Sequence, residues 1–84
     1  TRLSAQWIAQ TLALDLTRGA LKIPWRDWVK LQADQNQKKE TGKHWNHFID
    51  QLTKLEQSPS ADEGDLIRLG QTAATIKQFY RHEH

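Results

Sequence analysis

The chain reads as an all-α domain: a small bundle of three or four helices with a C-terminal antiparallel helical hairpin. Three observations predict this. Apolar residues recur at three- and four-residue spacing through most of the chain, the period of a helix with one buried face. No stretch alternates apolar and polar residues for long enough to make a half-buried strand. Gly, Pro and Ser interrupt the periodic segments where short turns between helices would fall.

The first helix starts at Ser4, whose side-chain oxygen can accept from the free N–H groups of a first turn. Ala5, Ile8, Leu12 and Leu16 form its stripe, with Trp7 and Leu14 beside it. Gly19 ends it, because glycine adopts the left-handed conformation past a helix end at little cost. After a short apolar connector, Ala20 to Ile23, Pro24 suits the first position of a second helix, where its missing N–H costs nothing. Trp25, Trp28, Val29 and Leu31 supply the apolar side of that helix, and Ala33 continues it weakly. Asp34 to His44 is polar apart from Gly42. It predicts either a loop, with Gln35-Asn36-Gln37 and Thr41-Gly42 favouring at least one break, or an exposed extension fusing helices two and three into a bent rod.

The third helix is expected from near Thr41, a candidate cap, to about Gln57. Trp45, Phe48, Ile49, Leu52 and Leu55 share one face of it. A break follows at Ser58-Pro59-Ser60, and Ser60 with Glu63 has capping-box spacing. The fourth helix repeats the pattern at Leu66, Leu69, Ala73, Ile76 and Tyr80. Gly64 and Gly70 each weaken it by roughly 1 kcal/mol relative to Ala, and Gly70 is expected to admit a neighbouring helix. The Leu66–Tyr80 stripe could serve as a dimer seam, but packing against the third helix is the better reading.

Eighty-four residues predict one helical domain spanning 1–84, with a modest core. The chain opens on Thr1 and has no methionine, as expected of a domain cut from a longer protein or a chain whose initiator was removed. It has no cysteine, which excludes disulfides and thiolate metal sites and fits a reducing, cytoplasmic setting. No apolar run approaches the roughly 20 residues that span a bilayer, and no signal peptide opens the chain. A membrane partner is not expected.

Catalysis finds little support. There is no Gly-x-Ser-x-Gly elbow and no phosphate loop, and Ser4, Ser58 and Ser60 have adequate roles as caps or turn residues. The expectation is a non-enzyme without a cofactor. His44 and His47 are three apart and could meet His82 and His84 at the open end of the hairpin, a nitrogen set suited to zinc, copper or nickel. Terminal residues fray, however, so surface histidines and no metal are the expectation.

Two binding functions remain. The leading one is a protein–protein interaction or self-association (adaptor) domain, with Trp7, Trp25, Trp28 and Tyr80 as partner contacts, since Trp, Tyr and Arg are common interface anchors. The alternative is DNA or RNA binding through the segment 18–43. Although the chain carries only +2 overall, seven basic residues there (Arg18, Lys22, Arg26, Lys30, Lys38, Lys39, Lys43) face only Asp27, Asp34 and Glu40. Such cations can neutralise phosphates, and interleaved tryptophans can stack on bases. Burial of Trp25 and Trp28 would leave that segment with phosphate contacts only.

Overall fold

The computed structural model describes residues 4–58 and 62–83, with side chains given up to Arg81. These residues form four helices and no strand: α1 (Ala5–Leu16), α2 (Trp25–Gln35), α3 (Glu40–Gln57) and α4 (Glu63–Glu83). The expected all-α bundle is therefore present, with four helices.

α1 begins as its sequence dictates: the Trp7 N–H donates to Ser4 Oγ at 3.1 Å. Its end differs from expectation. The Arg18 N–H reaches the Asp15 carbonyl at 3.2 Å and the Gly19 N–H reaches that of Leu14 at 2.8 Å, the paired bonds of a Schellman motif. This places Arg18, not Gly19 alone, in the left-handed region: φ is 54° at Arg18 and 80° at Gly19. An L-residue there costs roughly 1–2 kcal/mol through the crowding of its Cβ against the backbone.

Pro24 stands one position earlier than expected. It is the N-cap of α2, with ψ at 139°, and its carbonyl accepts the Trp28 N–H at 3.0 Å. At the other end of α2, the Asn36 amide nitrogen folds back to the Gln32 carbonyl at 2.7 Å. The polar stretch then splits into a short loop and the first turn of α3, so the fused rod does not form. Thr41 is not the cap of α3. Lys39 holds that position without a side-chain cap bond, and Thr41 is buried in the first turn. Nor does Gly42 break the helix: it lies inside α3, where a Cβ would stand 2.1 Å from the Asn36 carbonyl oxygen. The loop crosses directly over the glycine.

α3 and α4 form the expected antiparallel hairpin. Thr72 Oγ1 donates to Gln51 Oε1 at 2.7 Å, and the His44 ring stacks on Phe79 with centroids 5.0 Å apart, so one helix descends as the other rises. The Ser60–Glu63 capping box lies outside the described residues. Asp62 and Asp65 make the equivalent exchange: the Asp65 N–H donates to Asp62 Oδ1 at 3.0 Å and the Asp62 N–H to Asp65 Oδ2 at 3.4 Å. Gly70 admits no neighbour, since a Cβ there would meet nothing within 4 Å.

Large side chains from α2 and α3 anchor the core. Trp45 and Phe48 are fully buried, and Trp45 meets both Trp28 and Phe48 edge to face, at 5.7 and 6.4 Å. Such aromatic pairs add to stability beyond the area they bury. Leu52, Leu69, Ala73 and Ile76 continue this core between α3 and α4, and Ala9, Leu12, Ala13 and Leu16 bring α1 onto it. α1 touches all three other helices.

Candidate functional site

α1 and α4 run in the same direction. Trp7, Ile8 and Thr11 share a groove with Gly70, Ala73 and Ala74, further along Asp15 pairs with Lys77 at 2.5 Å, and at the far end Leu16 and Arg18 face Tyr80 and Arg81. The groove holds about 180 Å³. Its floor is low because Gly70 has no side chain and Ala73 and Ala74 have short ones. Trp7 stands at its edge 53 % exposed, and Ile67, one turn before Gly70 on α4, is 54 % exposed. Leu14 adds a further exposed apolar residue on α1. α1 is thus apolar on more than the face that the bundle buries.

The four residues expected to contact a partner divide. Trp7 is open to solvent. Trp28 is 8 % exposed and wedged against Trp45, which corrects its assignment: it is a core residue. Trp25 is half-buried, and the Arg26 guanidinium lies over its ring, 4.6 Å from the centroid. Tyr80 is half-buried and packs against the core.

The seven basic residues also divide. Arg26 serves the fold. Its two terminal nitrogens grip both oxygens of Glu56 at 2.8 and 2.7 Å, and Gln6 Nε2 donates to the same carboxylate at 2.8 Å. The bonds from Arg26 and Gln6 hold the Glu56 carboxyl down at about 2. One acidic side chain so ties α1, α2 and α3 together, and Arg26 is withdrawn from the set free to meet phosphates. Lys22 and Lys30 are exposed between α1 and the middle of α2. Lys38, Lys39 and Lys43 are exposed around the start of α3. Thirteen residues of helix, roughly 20 Å, separate Lys43 from Glu56 and hence from Arg26. The basic segment is therefore not one patch.

What gathers instead is one end of the bundle. Lys43 precedes His44, His44 stacks on Phe79, and Phe79 lies two residues before Arg81, which shares a pocket with Arg18. Arg18, Arg81, Lys38, Lys39 and Lys43 thus belong to the same end. Arg81 was missing from the sequence-derived set because it lies almost forty residues beyond the basic segment. At this end the Asp15 carboxyl is held below its ordinary range, first by its hydrogen bond from Lys77 and also by the nearby charges of Lys77 and Arg81.

His44 and His47 open onto a polar groove of about 280 Å³ with Gln51, Arg68, Gln71, Thr72 and Thr75. The convergence expected with His82 and His84 lies outside the described side chains. Among the described residues no group of three or more His, Cys, Asp or Glu is placed to hold a metal ion, and no helix is long and apolar enough to cross a membrane. Comparison with protein-family models, curated proteins and solved structures yields no match to this chain.

Proposed function

We propose that this chain is a non-catalytic protein-interaction domain whose contact face is the α1–α4 groove. The observation that carries the reading is Trp7. A tryptophan leaving half its surface in water, beside an apolar groove and with Ile67 and Leu14 exposed on the same two helices, is a costly feature for a free surface and a useful one for an interface. Gly70 and Ala74 keep the floor low enough for a partner's backbone to come close. Removing the indole should leave the fold intact, because Trp7 lies outside the buried core. Paired pull-downs with the parent chain and W7S, together with sedimentation of both, test the reading. A partner or a self-associated species present with the parent and lost with W7S is the expected result. A monomeric parent that recovers the same proteins as W7S refutes it.

A second reading, nucleic-acid binding, is favoured by the gathering of Arg18, Lys38, Lys39, Lys43 and Arg81 at one end of the bundle. With Trp28 in the core and Trp25 covered by Arg26, such binding would rest on phosphate contacts, not on base stacking, and would weaken steeply with added salt.

A further inference from the structure

At the basic end of the bundle, the close of α1 and the last turns of α4 leave a pocket of about 310 Å³ lined by Asp15, Leu16, Arg18, Tyr80 and Arg81. We propose that this pocket binds a phosphate group, and that the phosphate belongs to a nucleic-acid strand. The proposal rests on the second reading above and assigns that reading its central contact.

Three observations carry it. First, Arg18, just past the end of α1, and Arg81 on α4 are 63 residues apart in sequence and border one cavity. Guanidinium groups offer rigid pairs of N–H donors that match the oxygens of a phosphate. Second, the carboxylate in the pocket already has a partner: Lys77 donates to Asp15 Oδ2, so the charge of Asp15 is met first by Lys77 and only in part by Arg81. Among the described residues the Arg18 guanidinium makes neither a hydrogen bond nor an ion pair, its backbone N–H alone being bonded, to the Asp15 carbonyl. Third, Arg18 holds the left-handed conformation that a glycine would adopt more easily. Backbone strain of this kind clusters at binding sites, where the side chain does something the fold itself does not need. A strand is favoured over a phosphorylated peptide by what surrounds the pocket. Lys38, Lys39 and Lys43 extend the positive charge along the same end, which suits a repeating anion better than a single one.

The backbone of Arg18 also supplies a clean variant. Glycine fits φ of 54°, so R18G removes the guanidinium while favouring the fold, and a loss of binding cannot be ascribed to unfolding. R81Q replaces an exposed helical residue with another good helix former. The full chain is titrated at low salt, by NMR and fluorescence anisotropy, with inorganic phosphate, a mixed-sequence single-stranded 12-mer, the matching duplex and a phosphoserine peptide. Phosphate should move the amide signals of Arg18, Gly19 and Arg81. Each variant should bind the better of the two oligonucleotides about tenfold more weakly, and the slope of log affinity against log salt should fall by about one. Oligonucleotide binding that both variants retain in full overturns the pocket and leaves the second reading standing. Phosphate shifts in the pocket without oligonucleotide binding, or tighter binding of the phosphopeptide, overturn the strand as the ligand. No response to phosphate or to oligonucleotide overturns the proposal whole.

Discussion

Adding one methyl group at Gly42 sets two effects against each other. Glycine to alanine inside a helix gains roughly 1 kcal/mol, because alanine has less backbone freedom to lose. At Gly42 the new Cβ would stand 2.1 Å from the Asn36 carbonyl oxygen, 2.8 Å from its carbon and 2.9 Å from the Gln37 Cα. A carbon rests against a carbonyl oxygen at about 3.3 Å, so the loop would have to retreat by about 1.2 Å. That loop is tethered. Asn36 is bonded back to Gln32 through both its backbone and its side chain, Lys39 N–H reaches the Asn36 carbonyl at 2.9 Å, and Gly42 N–H reaches that of Lys39 at 3.0 Å. Forcing such a contact costs about 3 kcal/mol, the upper part of the overpacking range, since backbone and not a side-chain tip must move. The net expectation for G42A is a loss of about 2 kcal/mol, a fall in Tm of roughly 8–16 °C for a domain of this size. G70A is the control, a helical glycine with open space around it, and should gain about 1 kcal/mol. Thermal and urea unfolding followed by circular dichroism and tryptophan fluorescence read both. If G42A proves as stable as the parent while G70A rises, the close crossing of the α2–α3 loop is refuted.

R18G should raise stability by about 1 kcal/mol, seen as a higher urea midpoint, because glycine relieves the left-handed strain. W45A removes a fully buried indole and should cost about 3–5 kcal/mol, enough to leave much of the chain unfolded at 37 °C by circular dichroism. Glu56 sets an acid limb. Its folded carboxyl sits near 2 against an ordinary 4.5, so its contribution is complete above about pH 5 and drains away as pH falls toward 2. For a partly exposed pair that contribution is about 1 kcal/mol, and E56Q should flatten stability across this window in urea titrations run from pH 6 to pH 2.

The hairpin was legible because its signal is periodic. Trp45, Phe48 and Leu52 on α3, and Leu69, Ala73 and Ile76 on α4, are buried where their spacing places them. Spacing could not separate Trp7 from Trp28. Both sit on or beside an apolar stripe, and only the packing of α2 on α3 against Trp45 decides which is core. The segment 18–43 concentrates seven basic residues, but the partner that removes Arg26 is thirty residues away, beyond any local pattern. Gly42 showed the same limit in reverse. Its sequence context signals a break, while its role is to leave room for a loop that returns to it in space. Asp62 and Asp65 have the same three-residue spacing as Ser60 and Glu63, and only the bond geometry shows that they exchange side-chain and backbone bonds.

The shared direction of α1 and α4 has an electrical consequence. Each helix gathers its unpaired carbonyls at its C-terminus, equivalent to about half a negative charge, and here two such termini lie side by side. Antiparallel neighbours offset one another, as α3 does here with its N-terminus, but these two add at the end that carries Arg18, Lys77 and Arg81. The basic residues therefore do more than colour the surface. They reverse the sign of a field that the backbone alone would make repulsive to anions. Removing both arginines should therefore weaken anion attraction at this end by more than the loss of two surface charges elsewhere, with Lys38, Lys39 and Lys43 left to oppose the backbone field.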